Sequence, residues 1–120
     1  MHENGFWSER RTDGPSGVLV VDLSGRITLH EGTDIILRNN FRKLIVRGER
    51  KVVLNMGDVT YIDSSGVGEL MSAFTWARKN GGEMKLLNLT KKVHDLLQIT
   101  KLYTVFDIKD DEAAAVAAFK

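Results

Sequence analysis

Cysteine is absent from the 120 residues, which removes disulfides, thiol catalysis and thiolate metal sites together. Proline occurs once, at Pro15, so there is no proline-rich linker to divide the chain. Histidine is scarce as well. His2, His30 and His94 lie far apart, with neither the spacing of a metal site nor an obvious general base among them. No apolar run approaches the roughly 18 residues that a membrane span requires. An excess of one charge is also missing: 17 basic and 16 acidic side chains, mixed along the chain, leave a formal net charge of +1. With no basic stripe interleaved with aromatics, direct nucleic-acid binding is not expected. The amino terminus, "MHENGFWSERR", is polar rather than basic followed by an apolar core, so secretion is not indicated and a cytoplasmic protein is expected.

The residues that are present suit one globular domain. Hydrophobic content of 42% and charged content of 28% are ordinary, and a chain of this size buries about two-thirds of its extended surface. Phe6 to Arg11 reads as a short strand, with Phe6 and Trp7 placed either to cover a sheet edge or to dock a partner, and "TDGPSG" after it is a concentrated turn signal. "GVLVVDLSG", Gly17 to Gly25, is rich in β-branched residues and reads as a strand buried on both faces. After Thr33, the residues Ile36, Leu37, Asn40, Phe41, Leu44 and Ile45 approximate a helical stripe, with Asp34 early, Arg42, Lys43 and Arg47 late, and Gly48 as a stop. "KVVLN", Lys51 to Asn55, is the next strand. From Ser65 onward Val67, Leu70, Met71, Phe74 and Ala77 mark an amphipathic helix that ends at "KNGG", where Gly81 supplies the left-handed stop. "EMKLLNL" is a further buried strand. Thr90 opens a shorter helix with Val93, Leu96 and Leu97 inward, "TVFDI" is a last strand, and "DDEAAAVAAFK" is a terminal helix whose acids form a charged entrance rather than a metal site. The order β-β-α-β-α-β-α-β-α predicts an α/β fold: a mixed, mostly parallel sheet of four to five strands with about four helices.

The stretch "TYIDSSGVGEL" at the start of the second predicted helix admits four chemistries. A nucleophile elbow needs glycine two residues before and two after the serine; Ser64 has Ile62 and Gly66, Ser65 has Asp63 and Val67, so neither fits. "GVG" at Gly66 to Gly68 lacks the third glycine of a dinucleotide fingerprint, where Met71 stands, and no phosphate-loop lysine follows. A helix cap by Ser64 or Ser65 is physically ordinary, and Gly66 and Gly68 would let such a helix start lie close against neighbouring backbone. It does not account for Asp-Ser-Ser-Gly where one capping serine is enough. Between the helix cap and a phosphate acceptor, the residues alone leave the choice open.

"VTYIDSSGVGEL" followed by "GGEMKLLNLTKKVHDLLQITKLYTVFDI" resembles the STAS domain of bacterial anti-sigma-factor antagonists, from about Val18 to the carboxyl terminus. The most specific part is the D-S-[ST]-G-[LV]-G junction. The resemblance implies a single STAS domain over residues 1–120, with residues 1–16 as an amino-terminal strand and turn, and a regulatory binding protein rather than an enzyme, with no cofactor and no metal. It implies that Ser64 is phosphorylated by an anti-sigma factor that is also a serine kinase, and that a phosphoserine phosphatase restores it. It further implies that Asp63 orients the junction or touches the partner, that Ser65 caps the helix, and that Gly66 and Gly68 allow the partner close approach. Many members carry Gly-acidic-Leu-Asp after the second strand, the aspartate engaging the kinase; here "GRIT" places Arg26 and Thr28 at those positions, which makes Thr28 a partner-contact candidate. Other STAS domains serve as unphosphorylated adaptors in larger assemblies, a second expectation.

Overall fold

The computed structural model describes residues 5–12 and 17–119. The turn expected between Thr12 and Gly17 falls on residues 13–16, and His2 and Pro15 also lie outside the described residues. Five strands and four helices alternate: β1 (Trp7–Arg11), β2 (Leu19–Ile27), α1 (Thr33–Val46), β3 (Lys51–Ile62), α2 (Ser64–Lys79), β4 (Glu83–Leu87), α3 (Lys91–Ile99), β5 (Asp107–Lys109) and α4 (Glu112–Ala117). The strands lie in sequence order in one sheet, β1 antiparallel to β2 and every later pair parallel. The predicted α/β class and element order are those of the structure.

The inward residues of α1, α2 and α3 (Leu37, Phe41, Leu44, Leu70, Ala77, Val93 and Leu97) share one core with Leu19, Val21, Leu54, Met84 and Leu86 of the sheet. Phe6 is buried in that core and Trp7 is half-buried against it, so both cover the sheet, the first of the two expected roles. The opposite face carries a smaller cluster, Val18, Val20, Val53 and Leu87, covered by Ala115 and Phe119. Beside it the guanidinium of Arg10 on β1 bonds both Asp22 of β2 and Glu112 of α4, each at 2.6 Å, and ties the amino-terminal strand to the last helix. Gly81, at φ 80°, ends α2 as the sequence predicted, its neighbour's amide (Gly82 N) donating to Ala77 O at 2.8 Å.

Two boundaries differ from expectation. β3 does not stop at Asn55 but runs on to Ile62, which carries the chain to the top of the sheet beside β2. Its second half buries Met56, Val59 and Ile62, a spacing of three rather than two. The register with β2 slips between Asp22 and Ser24 and again between Gly25 and Arg26, β3 giving one extra residue each time. These bulges erase the two-residue alternation by which strands are read. The last strand is also displaced: Thr104 and Val105 lie in the preceding turn, and β5 pairs only through Asp107 to Lys109.

Candidate functional site

β3 ends at Ile62 and α2 begins two residues later, so the junction sits at the carboxyl ends of the parallel strands, where open α/β sheets place their binding sites. Asp63 is the capping residue, in extended conformation (φ −102°, ψ −177°). One carboxylate oxygen accepts from Gly66 N at 2.9 Å, closing the first turn of α2. The other accepts from Leu29 N at 3.0 Å, in the turn after β2, and the Asp63 amide donates to Ile27 O at 3.2 Å. One side chain thus joins the α2 entrance to the end of the neighbouring strand. Burial by itself would raise the Asp63 carboxyl; amide bonds from Gly66, Leu29 and Ser65 outweigh it and hold the group below the usual carboxylate range.

Ser65 departs from expectation. The capping oxygen belongs to Asp63, and the Ser65 hydroxyl instead donates to Oδ2 of Asp34, a buried residue in the first turn of α1. One turn along both helices, Arg38 of α1 bonds Glu69 of α2 with its nearest contact at 2.9 Å. The spacing of four residues on each helix stacks these two contacts on the same faces, so α1 and α2 are fastened side by side at the junction. Gly66 is likewise not a partner-facing residue. It is buried, and a Cβ there would stand 2.6 Å from Ile27 O and 2.7 Å from Ile62 Cγ1, so its bareness serves close packing of α2 on the sheet. Thr28 is only 3% exposed; its hydroxyl donates to Glu31 Oε1 at 3.0 Å and accepts from Glu31 N at 3.1 Å, and its side chain shapes the turn rather than facing outward. Thr90 begins α3, but its hydroxyl donates to Val59 O at 3.0 Å instead of capping the helix.

What remains outward is Ser64, Gly68, Leu29 and Arg26. Ser64 is exposed at the first position of α2, and its hydroxyl has no hydrogen-bond partner among the described residues. A serine nucleophile needs a base within hydrogen-bond reach, so the geometry offers an accessible hydroxyl and not an activated one. Gly68, one turn further on the same face, is exposed with nothing within 4 Å of a Cβ built on it. Leu29 is 69% exposed beside the Asp63 carboxylate that holds its amide. Arg26 lies over the Tyr61 ring at 4.6 Å and pairs with Glu31 at 2.9 Å. Leu29 and Asp34 escaped the sequence reading as members of the junction. Leu29 is a lone apolar residue in a polar turn, a weak signal. Asp34 is visible only once the four-residue spacing of Asp34 and Arg38 is matched with that of Ser65 and Glu69.

Comparison with known proteins places this geometry among relatives. The family model described as STAS domain matches residues 9–115. The anti-sigma F factor antagonist of Paenibacillus polymyxa is 32% identical over 101 residues, covering 83% of this chain and 85% of its own. The anti-sigma-B factor antagonist of Bacillus subtilis is 33% identical over 89 residues, covering 73% and 78%. Among solved structures, the crystal structure of an anti-sigma factor antagonist from Mycobacterium paratuberculosis superposes with a TM-score of 0.77 at 19% identity, covering 96% of this chain and 95% of that one, a likeness of fold.

Proposed function

Since the chain belongs to the STAS domain family, we propose that it is an anti-sigma-factor antagonist whose docking is gated by phosphorylation of Ser64. In this reading the unmodified protein binds a cytoplasmic anti-sigma factor with serine kinase activity and so frees a sigma factor. Phosphorylation ends that binding, and a phosphoserine phosphatase restores it. The chain itself is a binding protein, and the kinase supplies the chemistry. The observation that carries the reading is the Ser64 hydroxyl, exposed and unengaged on a helix entrance that Asp63 and the Ser65–Asp34 bond hold in place. Asp63 acts as the positioning group, and Gly68 and Leu29 form the surface on which the partner rests.

The physics of the switch is electrostatic. A phosphate adds about −1.5 to −2 charges beside the Asp63 carboxylate. At a separation of about 6 Å the two repel by roughly 1–5 kcal/mol between water-like and surface dielectrics. The positive end of an exposed helix returns only about 0.3–1 kcal/mol. A partner seated over the junction would also have to strip water from the phosphate. A loss of about 3 kcal/mol already lowers affinity more than a hundredfold.

Two measurements test the reading. Incubation with the anti-sigma kinase and ATP is expected to add one phosphate, located on Ser64 by mass spectrometry; an unmodified Ser64 rejects the switch. Titration of the partner with Ser64→Ala and Ser64→Asp proteins is expected to show weakened binding for the aspartate variant alone. Equal affinities would point to a constitutive adaptor instead.

A further inference from the structure

α1 and α2 enclose a second feature, separate from the Ser64 junction. A groove of about 320 Å³ runs between them, its lining including Arg38 and Arg42 of α1 and Glu69, Met71, Trp76 and Lys79 of α2. Its volume lies at the lower end of the range of small-molecule sites. The apolar lining is continuous with the core: Phe41 is 1% exposed, and Met71 and Trp76 are half-buried against it. The rim is basic. Arg38 is engaged by Glu69, whereas Arg42 and Lys79 have no acidic partner among the described residues. The Arg42 guanidinium lies 5.6 Å from the centroid of the Trp76 ring. The indole nitrogen of Trp76 is buried and meets no acceptor among the described residues. It lies too deep to be reached from the groove and takes no part in the site.

Two uncompensated cations and an apolar wall meet in one groove. We propose that it binds a small organic anion, a phosphate or carboxylate head on a flat apolar body. The head lies between Arg42 and Lys79, where charge-assisted hydrogen bonds are strongest. The body lies along Met71 and Trp76, both half-buried on the groove wall. Charge complementarity selects an anion, and the apolar wall selects one with a hydrophobic body over inorganic phosphate. The site stands independently of phosphorylation at Ser64.

4-Fluorophenyl phosphate, followed by fluorine NMR, is a suitable probe, with the full chain as the protein. Saturable binding in the millimolar range or tighter is expected. The Arg42→Ala, Lys79→Ala double variant is expected to weaken it at least tenfold. Trp76→Ala, which removes part of the apolar wall, is expected to weaken it about threefold. Uncharged 4-fluorobenzyl alcohol is expected not to saturate, and Ser64→Asp protein is expected to bind the probe as the unmodified chain does. Both rim residues are exposed, and circular dichroism of each variant establishes that it is folded. No saturable shift up to about 10 mM, unchanged affinity in the double variant, or equal displacement by inorganic phosphate would each overturn the proposal.

Discussion

Gly66 and Gly68 sit two residues apart in the same helix, yet substitution by alanine is expected to act with opposite signs. In a helix interior, alanine is favoured over glycine by about 1 kcal/mol. Propensity alone therefore predicts that both changes stabilise. At Gly68 nothing lies within 4 Å of the new Cβ, and the gain of about 0.5–1 kcal/mol should be realised. At Gly66 the same methyl would meet Ile27 O at 2.6 Å, Ile62 Cγ1 at 2.7 Å and Ile27 Cγ2 at 3.0 Å. The nearest of these is a strand carbonyl, so relief requires α2 to lift from the sheet, and overpacking of this kind costs about 1–3 kcal/mol. Taking the upper end, because backbone must move, and subtracting the propensity gain leaves a net loss of about 2 kcal/mol. For a chain of this length that is roughly an 8 °C fall in Tm for Gly66→Ala against a rise of about 3 °C for Gly68→Ala. Thermal and urea unfolding followed by far-UV circular dichroism read both values. Equal stabilisation by the two alanines would refute the claim that Gly66 is demanded by contact with the end of β2. A Gly66→Ala protein that stays folded should also bind its partner less well, because the lift of α2 displaces Ser64.

Asp63→Ala removes the acceptor of both Gly66 N and Leu29 N, and a loss of about 2–3 kcal/mol in urea unfolding is expected. Gly68→Leu should keep or raise stability, since leucine is nearly as good a helix former as alanine, yet weaken partner binding, read by titration calorimetry, because the side chain would stand on the face beside Ser64. The hydrogen bonds from Arg10 hold the carboxyls of Asp22 and Glu112 below their ordinary range. The folded state therefore takes up those protons less readily than the unfolded chain. The resulting stability is present above about pH 4 and is lost as pH falls further; urea midpoints measured across that interval should drop, and drop less in Arg10→Met protein. Lys85, with a side chain only 4% exposed, bonds Asp107 at 2.5 Å and lies 4.7 Å from the Phe119 ring. Asp107→Ala should cost roughly 1–3 kcal/mol, because the buried ammonium keeps only its longer contact with Glu83 at 3.6 Å, whereas Lys85→Met should be close to neutral, both read by urea unfolding.

Where apolar spacing matched the ideal period, the sequence disclosed the element and its buried face: Leu37, Phe41, Leu44 and Ile45 on α1, and Val67, Leu70 and Ala77 on α2, are buried as their spacing predicts. The second half of β3 was illegible because two bulges convert a strand period into one of three residues. In the candidate site, the junction and its outward Ser64 could be read from residue types in order. The inward or outward direction of the other side chains could not. Ser65 and Thr28 are hydroxyl residues in local turns, and only the arrival of Asp34 from another helix and of Glu31 from the same turn decides their bonds. Gly66 shows the same limit: a glycine that accommodates a partner and a glycine that accommodates its own sheet are identical in sequence.

Asp63 also bears on why the proposed switch need not move the backbone. A helix entrance is ordinarily a favourable place for a phosphate, because its free amides and dipole attract anions. Here the Asp63 carboxylate already occupies the Gly66 amide and reaches back to Leu29, so a phosphate on Ser64 would find the nearest such donor taken by a negative charge. Two of the routes by which the phosphate could fold onto the protein are narrowed together: the Gly66 amide is taken, and the α1–α2 fastening through Ser65 and Glu69 resists a tilt of the helix that would free it. The added charge then stays directed at whatever rests on Leu29 and Gly68. A carboxylate that looks redundant beside the proposed phosphate acceptor is, on this reasoning, what would keep the phosphate's charge available to repel the partner instead of being absorbed by the helix that carries it.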